Sequence, residues 1–172
     1  MKLSIHAFSD KQWAERLVSR GTLAEGKFIT WAAQRSIEAV RWGFDNPPFR
    51  EFYKLPLFLR LAPDFVVQGH EFGFVEVKGC GGSVLKLKTE TMSGLAEWHA
   101  ILPVWFFVYD SRHDAFAFID FESLLVICSK CPTRRFESDN KPYYEVDVTL
   151  LTWNPMEKND ERQDQPQGTQ HH

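Results

Sequence analysis

No stretch of these 172 residues approaches the roughly 18 consecutive apolar residues that a membrane-crossing helix needs. The opening residues, MKLSIHAFSDKQW, hold no apolar run of the secretory kind. Cysteine is scarce: three residues, an odd number without framework spacing, which excludes a disulfide-stapled scaffold and points to a reducing, cytoplasmic setting. A positive excess is missing as well. The formal net charge is −3, so the chain does not coat a polyanion non-specifically, and any grip on one has to come from local basic clusters. There is no internal repeat, and the pair Gly81-Gly82 is not followed by the Gly-Lys-Ser/Thr of a phosphate loop.

What the chain does hold is aromatic bulk, fifteen Phe and six Trp, enough to fill a sizeable core. The length fits one domain, expected over 1–154. From Pro155 to His172 the composition turns to Gln, Asp, Glu and Asn with Met156 as the one apolar residue, so 155–172 is expected to be a disordered polar tail.

Periodicity sets out the elements. Ser9 to Arg20 predicts a first helix closed by Gly21, and Leu23 to Trp42 a second, with Thr22 as its N-cap and Gly43 as its stop. The loop Asp45 to Arg50 carries Pro47-Pro48. Leu57 to Leu61 is expected as a strand, then Asp64 to Val67 and Phe72 to Lys78 as a hairpin turning at Gly69-His70. Thr91 to Ile101 predicts an amphipathic helix. Val104 to Tyr109, almost uninterrupted in apolar residues, predicts a buried central strand. Ala115 to Asp120 pairs with it across Asp110 to His113, and Tyr143 to Leu151 is a late strand. The order predicts an α/β fold with a mixed central sheet flanked by helices.

Chemistry concentrates on that hairpin. Glu76 and Lys78 are two apart on one strand and share a face, while Val75 and Val77 point the other way into the core. A hairpin turning at Gly69-His70 can set Asp64 beside Glu76. Two carboxylates and a lysine on one face suit a hard divalent cation that keeps waters and takes phosphate oxygens. The lysine can orient a water or stabilise charge on a phosphoryl group. Without a cation, two carboxylates so close repel. Taken singly, Asp64 is also an ordinary turn aspartate after Pro63, and Glu76 and Lys78 the solvent half of an edge hairpin; it is the combination that points to a phosphodiesterase.

The residues Pro63-Asp64 and Glu76-Val77-Lys78, preceded by a helix and followed by a Gly-rich loop, a helix and a buried strand, resemble the PD-(D/E)XK nuclease superfamily. The resemblance spans roughly Thr22 to Asp120. It implies a restriction-endonuclease-like core in the order αβββαββ, with Mg²⁺ or Mn²⁺ held by Asp64, Glu76 and the carbonyl of Val77, and Lys78 assisting the attacking water. Many members carry a further glutamate on the preceding helix. At about 100° per residue Glu25 shares the apolar face of Ile29 and Ala33, whereas Glu38 lies about 220° round, so Glu25 is the candidate. It equally completes a capping box with Thr22.

The implied activity is a metal-dependent endodeoxyribonuclease. Small stand-alone members of the superfamily include Holliday-junction resolvases, which work as homodimers on branched DNA, and phage- or defence-type endonucleases. DNA and a second copy of the chain are therefore the implied partners. Two alternatives stand beside it: a non-catalytic domain of the same fold that binds nucleic acid or protein, and a nuclease subunit of a larger transposition or defence complex.

The remaining motifs are open. Lys86 and Lys88, alternating with Leu85 and Leu87, suit phosphate contact near Lys78 or an ordinary half-exposed strand. Cys128 and Cys131 have CxxC spacing but no second ligand pair, so two unconnected thiols are expected. Lys130, Arg134 and Arg135 form a small basic loop cluster of the kind that is usually only solvated. Trp98 is expected to pack and His99 to face solvent.

Overall fold

The computed structural model describes residues 22–43 and 54–157. The expected first helix (Ser9 to Arg20), the Asp45 to Arg50 loop and the tail beyond 157 lie outside the described residues. Among the described residues no helix is long and apolar enough to cross a membrane.

A helix over 22–34, α1, buries Ala24, Phe28, Trp31 and Ala32, and leaves Ile29 and Ala33 exposed. The apolar stripe thus sits one residue off the expected phase. The helix was expected to run to Trp42, yet it stops at 34. Ser36 adopts a left-handed φ of 55°, and the N–H groups of Ser36 and Ile37 return to the carbonyls of Ala33 and Ala32. This is a Schellman-type stop with serine where glycine is usual, so no glycine announced it. Beyond the stop the chain enters a strand, β1 (Glu38–Arg41).

The expected strand Leu57 to Leu61 is instead a one-turn helix, α2 (Leu57–Arg60), entered from Pro56. The edge that this strand would have filled is taken by β1, which pairs antiparallel with β2 (Phe65–Gln68). β2 forms the expected hairpin with β3 (Phe72–Cys80). β4 (Val84–Lys88) leads into α3 (Thr89–His99), and β5 (Val104–Asp110) returns parallel to β3. With β6 (Ala115–Asp120), the longer helices and the strands of the main sheet follow the expected order αβββαββ, with α2 and β4 interposed.

Sequence inspection missed α4 (Phe121–Ser129), whose start is marked by Asp120 accepting from the Ser123 N–H at 2.8 Å. β7 (Thr133–Arg135) and β8 (Pro142–Asp147) join β4 in a separate three-stranded sheet, ordered β4-β8-β7. The expected strand to Leu151 ends at Asp147, and a 3₁₀ turn covers Val148–Leu150. β9 (Asn154–Pro155) adds an edge to the main sheet, whose order is β1-β2-β3-β5-β6-β9. Met156, placed in the tail by composition, is buried, so the packed chain runs past the expected boundary at 154.

The result is a mixed α/β fold with a central mixed sheet covered on both faces. On one face Phe28 and Trp31 of α1 pack against Phe65, Val75, Val77 and Phe107. On the other, Met92, Leu95 and Trp98 of α3, Leu124 of α4, and Leu85 and Leu87 of the small sheet pack against Phe74, Phe106 and Val108. Burial on both faces accounts for the near-continuous apolar reading of β5.

Candidate functional site

The β2–β3 register pairs Phe65 with Val75 and Gln68 with Phe72. Carried one step further, it sets Asp64 opposite Glu76. Val75 and Val77 point to the α1 face, so Glu76 and Lys78 lie on the α3 face with Phe74, as alternation requires. Asp64 is pinned from both sides. Its backbone carbonyl accepts from the N–H groups of Trp42 (2.8 Å) and Gly43 (3.1 Å), at the end of β1. Its carboxylate Oδ2 accepts from the Val77 N–H at 2.7 Å. β2 has ended at this level, so the carboxylate takes the ladder position that a backbone carbonyl would have filled.

An extended residue directs its C=O to the same side as its N–H. The Val77 carbonyl therefore faces the Asp64 edge. Glu76 is 5% exposed, and its Oε1 accepts from the Lys78 ammonium, which is half-buried. A buried carboxylate is costly unless paired or ligating.

Asp64, Glu76 and Lys78 line one pocket of about 120 Å³ together with Arg60, Leu61, Ala62 and Thr91. The helical wall comes from α2 and the first turn of α3. α2 is seated there by Phe58, whose ring stacks on Trp98 at 4.2 Å between centroids and whose carbonyl accepts from the Trp98 indole at 3.1 Å. Close approach needs Gly94, because a Cβ there would collide with Leu61. Trp98 therefore packs, as expected. His99, expected at the surface, stacks on Phe121, and its Nδ1 accepts from the Val104 N–H.

The donor set fits Mg²⁺ or Mn²⁺. Two carboxylates and a carbonyl supply hard oxygen ligands, and the pocket leaves room for water and phosphate oxygens. Among the described residues no three His, Cys, Asp or Glu side chains converge, so none of them forms a closed cage of the structural-zinc type.

Three sequence candidates lie outside this pocket. Glu25 is half-buried and ion-paired with Arg41 of β1, and it is not among the lining residues. Helical phase does not favour it either, since Ile29 and Ala33 are not on the buried face. Glu38 is exposed on β1. Lys86 and Lys88 are exposed on β4 of the small sheet, with their ammonium groups over Phe136 (5.7 and 5.6 Å) and that of Lys86 over Tyr143 (5.0 Å). Neither lines the pocket. Arg60, which does, was overlooked: it closes a segment taken for a strand, and no local pattern marks it.

No family model matches the chain, and no curated protein does. Among solved structures it is similar to a Holliday junction resolvase from the archaeal hyperthermophile Archaeoglobus fulgidus (17% identity, TM-score 0.49, covering 77% of this chain and 89% of that one). It is also similar to a nuclease from a fusselovirus (12% identity, TM-score 0.44, covering 88% of this chain and 89% of that one). Neither likeness is close enough to carry an activity over to this chain.

Proposed function

We propose that this protein is a divalent-metal-dependent nuclease that hydrolyses phosphodiester bonds in DNA, with Asp64, Glu76 and the Val77 carbonyl as metal ligands and Lys78 as the catalytic lysine. The observation that carries the reading is the convergence of Asp64, Glu76 and Lys78 in one pocket, with Glu76 buried and Asp64 locked to the Val77 N–H.

A bound Mg²⁺ or Mn²⁺ would polarise the phosphate and acidify a water. The chain's own groups do the rest. The hairpin fixes both carboxylates before any ligand arrives, so little reorganisation is needed on binding. Lys78, held against Glu76, can donate to the attacking water or to the oxygen that gains charge. Lys86 and Lys88, on the outer face of the small sheet, would contact backbone phosphates away from the scissile bond.

The test is cleavage of single-stranded, duplex, flap and four-way-junction DNA with Mg²⁺, Mn²⁺ or EDTA, alongside Asp64→Ala and Lys78→Ala. Cleavage that needs metal and is lost in both folded variants is expected. Activity in EDTA, or full activity in both variants, overturns the assignment. Binding without cleavage on every substrate would favour a non-catalytic domain. Preference among the four substrates decides whether branched DNA is the target.

A further inference from the structure

The helical wall of the pocket carries a charge that forms no ion pair among the described residues. Arg60 lines the same cavity as Asp64, Glu76 and Lys78. Its Nε is sealed from solvent, and among the described residues it has no hydrogen-bond partner and its guanidinium forms no ion pair. A guanidinium stays charged at any physiological pH and presents a planar fork of donors matched to carboxylate and phosphate. Burying part of it without a partner is unfavourable, and native structures rarely do so without reason.

A neighbouring ion pair does not take Arg60 up. Glu90, in the first turn of α3, has its carboxyl held below the usual range, first by the hydrogen bond from Lys141 at 2.8 Å and further by the charges of Arg60 and Lys88. Arg60 is thus close enough to act on that pair without joining it. The pocket therefore has an acidic strand wall fit for a cation and a helical wall fit for an anion. A phosphodiester would meet Arg60 on the helical wall, and a cation on the strand wall would shield it from the two carboxylates.

We infer that Arg60 is a phosphate-binding residue of this site, its guanidinium donating to non-bridging oxygens of a nucleic-acid backbone phosphate that enters between α2 and the β2–β3 hairpin. The inference rests on the nuclease reading for its substrate, and the experiment separates the two. Affinity for a fluorescein-labelled single-stranded DNA oligonucleotide is measured by anisotropy in EDTA across a salt series, for the wild type, Arg60→Ala and Arg60→Lys. Cleavage with Mg²⁺ and thermal melting are recorded on the same samples.

Arg60→Ala should bind about tenfold or more weakly at low salt, and the slope of log affinity against log salt should fall by about 1. Its kcat/KM for cleavage should drop by about 10²-fold. Arg60→Lys should recover part of the affinity but less of the rate, because it keeps the charge and loses the fork. Melting should hold or rise, since an unpartnered buried charge is being removed. If Arg60→Ala lowers the melting temperature while the folded protein keeps wild-type affinity, salt slope and kcat/KM, Arg60 is structural and the inference is overturned. If the wild type cleaves and Arg60→Ala is indistinguishable from it, the inference fails and the nuclease reading stands. If the wild type cleaves nothing but loses oligonucleotide binding with Arg60→Ala, the nuclease reading fails and the anion site stands. A wild type that neither binds nor cleaves ends both.

Discussion

Two carboxylates are buried among the described residues, and they are held in opposite ways. Asp110, at the end of β5, is 3% exposed and accepts from the Arg112 N–H (2.9 Å), from the Arg112 guanidinium (3.3 and 3.4 Å) and from His113 Nδ1 (2.7 Å). All of these donors belong to the turn that Asp110 itself begins. Glu76, on the neighbouring strand, is 5% exposed, and among the described residues its one hydrogen-bond partner is Lys78. Asp110 has its lone pairs committed to backbone and side chains of its own loop, so it closes a hairpin. Glu76 keeps acceptor capacity turned toward the pocket it shares with Asp64 and Lys78, which is what the proposed ligand role requires. Burial alone would have ranked the two alike; the number and origin of their donors tell them apart.

The largest expected effect breaks the comparison at Glu76. Glu76→Gln should reduce DNA cleavage by about 10³-fold or more, on the scale of removing a preorganised electrostatic group. Its melting temperature should hold or rise, because a buried charge is neutralised and half-exposed Lys78 can hydrate. A melting temperature that fell with activity would make Glu76 a second Asp110. Asp110→Ala should do the reverse. Calorimetry or denaturant titration should show a loss of about 1–3 kcal/mol, from the unmet Arg112 N–H and the loosened turn, with cleavage by the folded fraction retained.

A smaller effect is set by pH. Burial pushes the Asp110 carboxyl up, but the hydrogen bonds from His113 and Arg112 outweigh it and hold the group below its ordinary value of 3.8. A depressed acid stabilises the fold above its unfolded value and loses that contribution as pH falls through the folded one. The melting difference between wild type and Asp110→Asn should therefore persist at neutral pH and shrink as pH drops below 3.8. A difference that grew under acid would reverse the assignment.

The smallest effect concerns Cys80, paired with Asp110 in the β3–β5 register. Burial, with the Asp110 charge adding to it, raises its thiol to about 11. Burial does the same to Cys128, also to about 11, whereas Cys131 is half-buried. At about pH 8 iodoacetamide should label Cys131 first, and Asp110→Asn should speed Cys80 modestly, as mass spectrometry would show.

The strand wall of the site could be read from the chain, and the helical wall could not. Asp64, Glu76 and Lys78 sit on a hairpin whose alternation and turn are local, so their shared face follows from period and register. The central strand and Ala115–Asp120 were legible for the same reason. α4 was missed although Asp120 offered an N-cap, because Phe121–Ser129 is as apolar as a buried strand. Glu25 does not line the pocket, and the phase argument for it fails because a one-residue shift in helical phase moves a side chain by about 100°.

By itself, the sequence determined the local alternations: which residues on β3 face the core, which face the site, and that a carboxylate at Asp64 could reach Glu76. Tertiary structure alone decided which segment fills the sheet edge beside β2, that Glu38–Arg41 takes it, and that Leu57–Arg60 is thereby free to coil against Trp98 and carry Arg60 to the pocket. Edge pairing and helix docking depend on competition between segments far apart in the chain. A period counted within one segment holds no record of that competition.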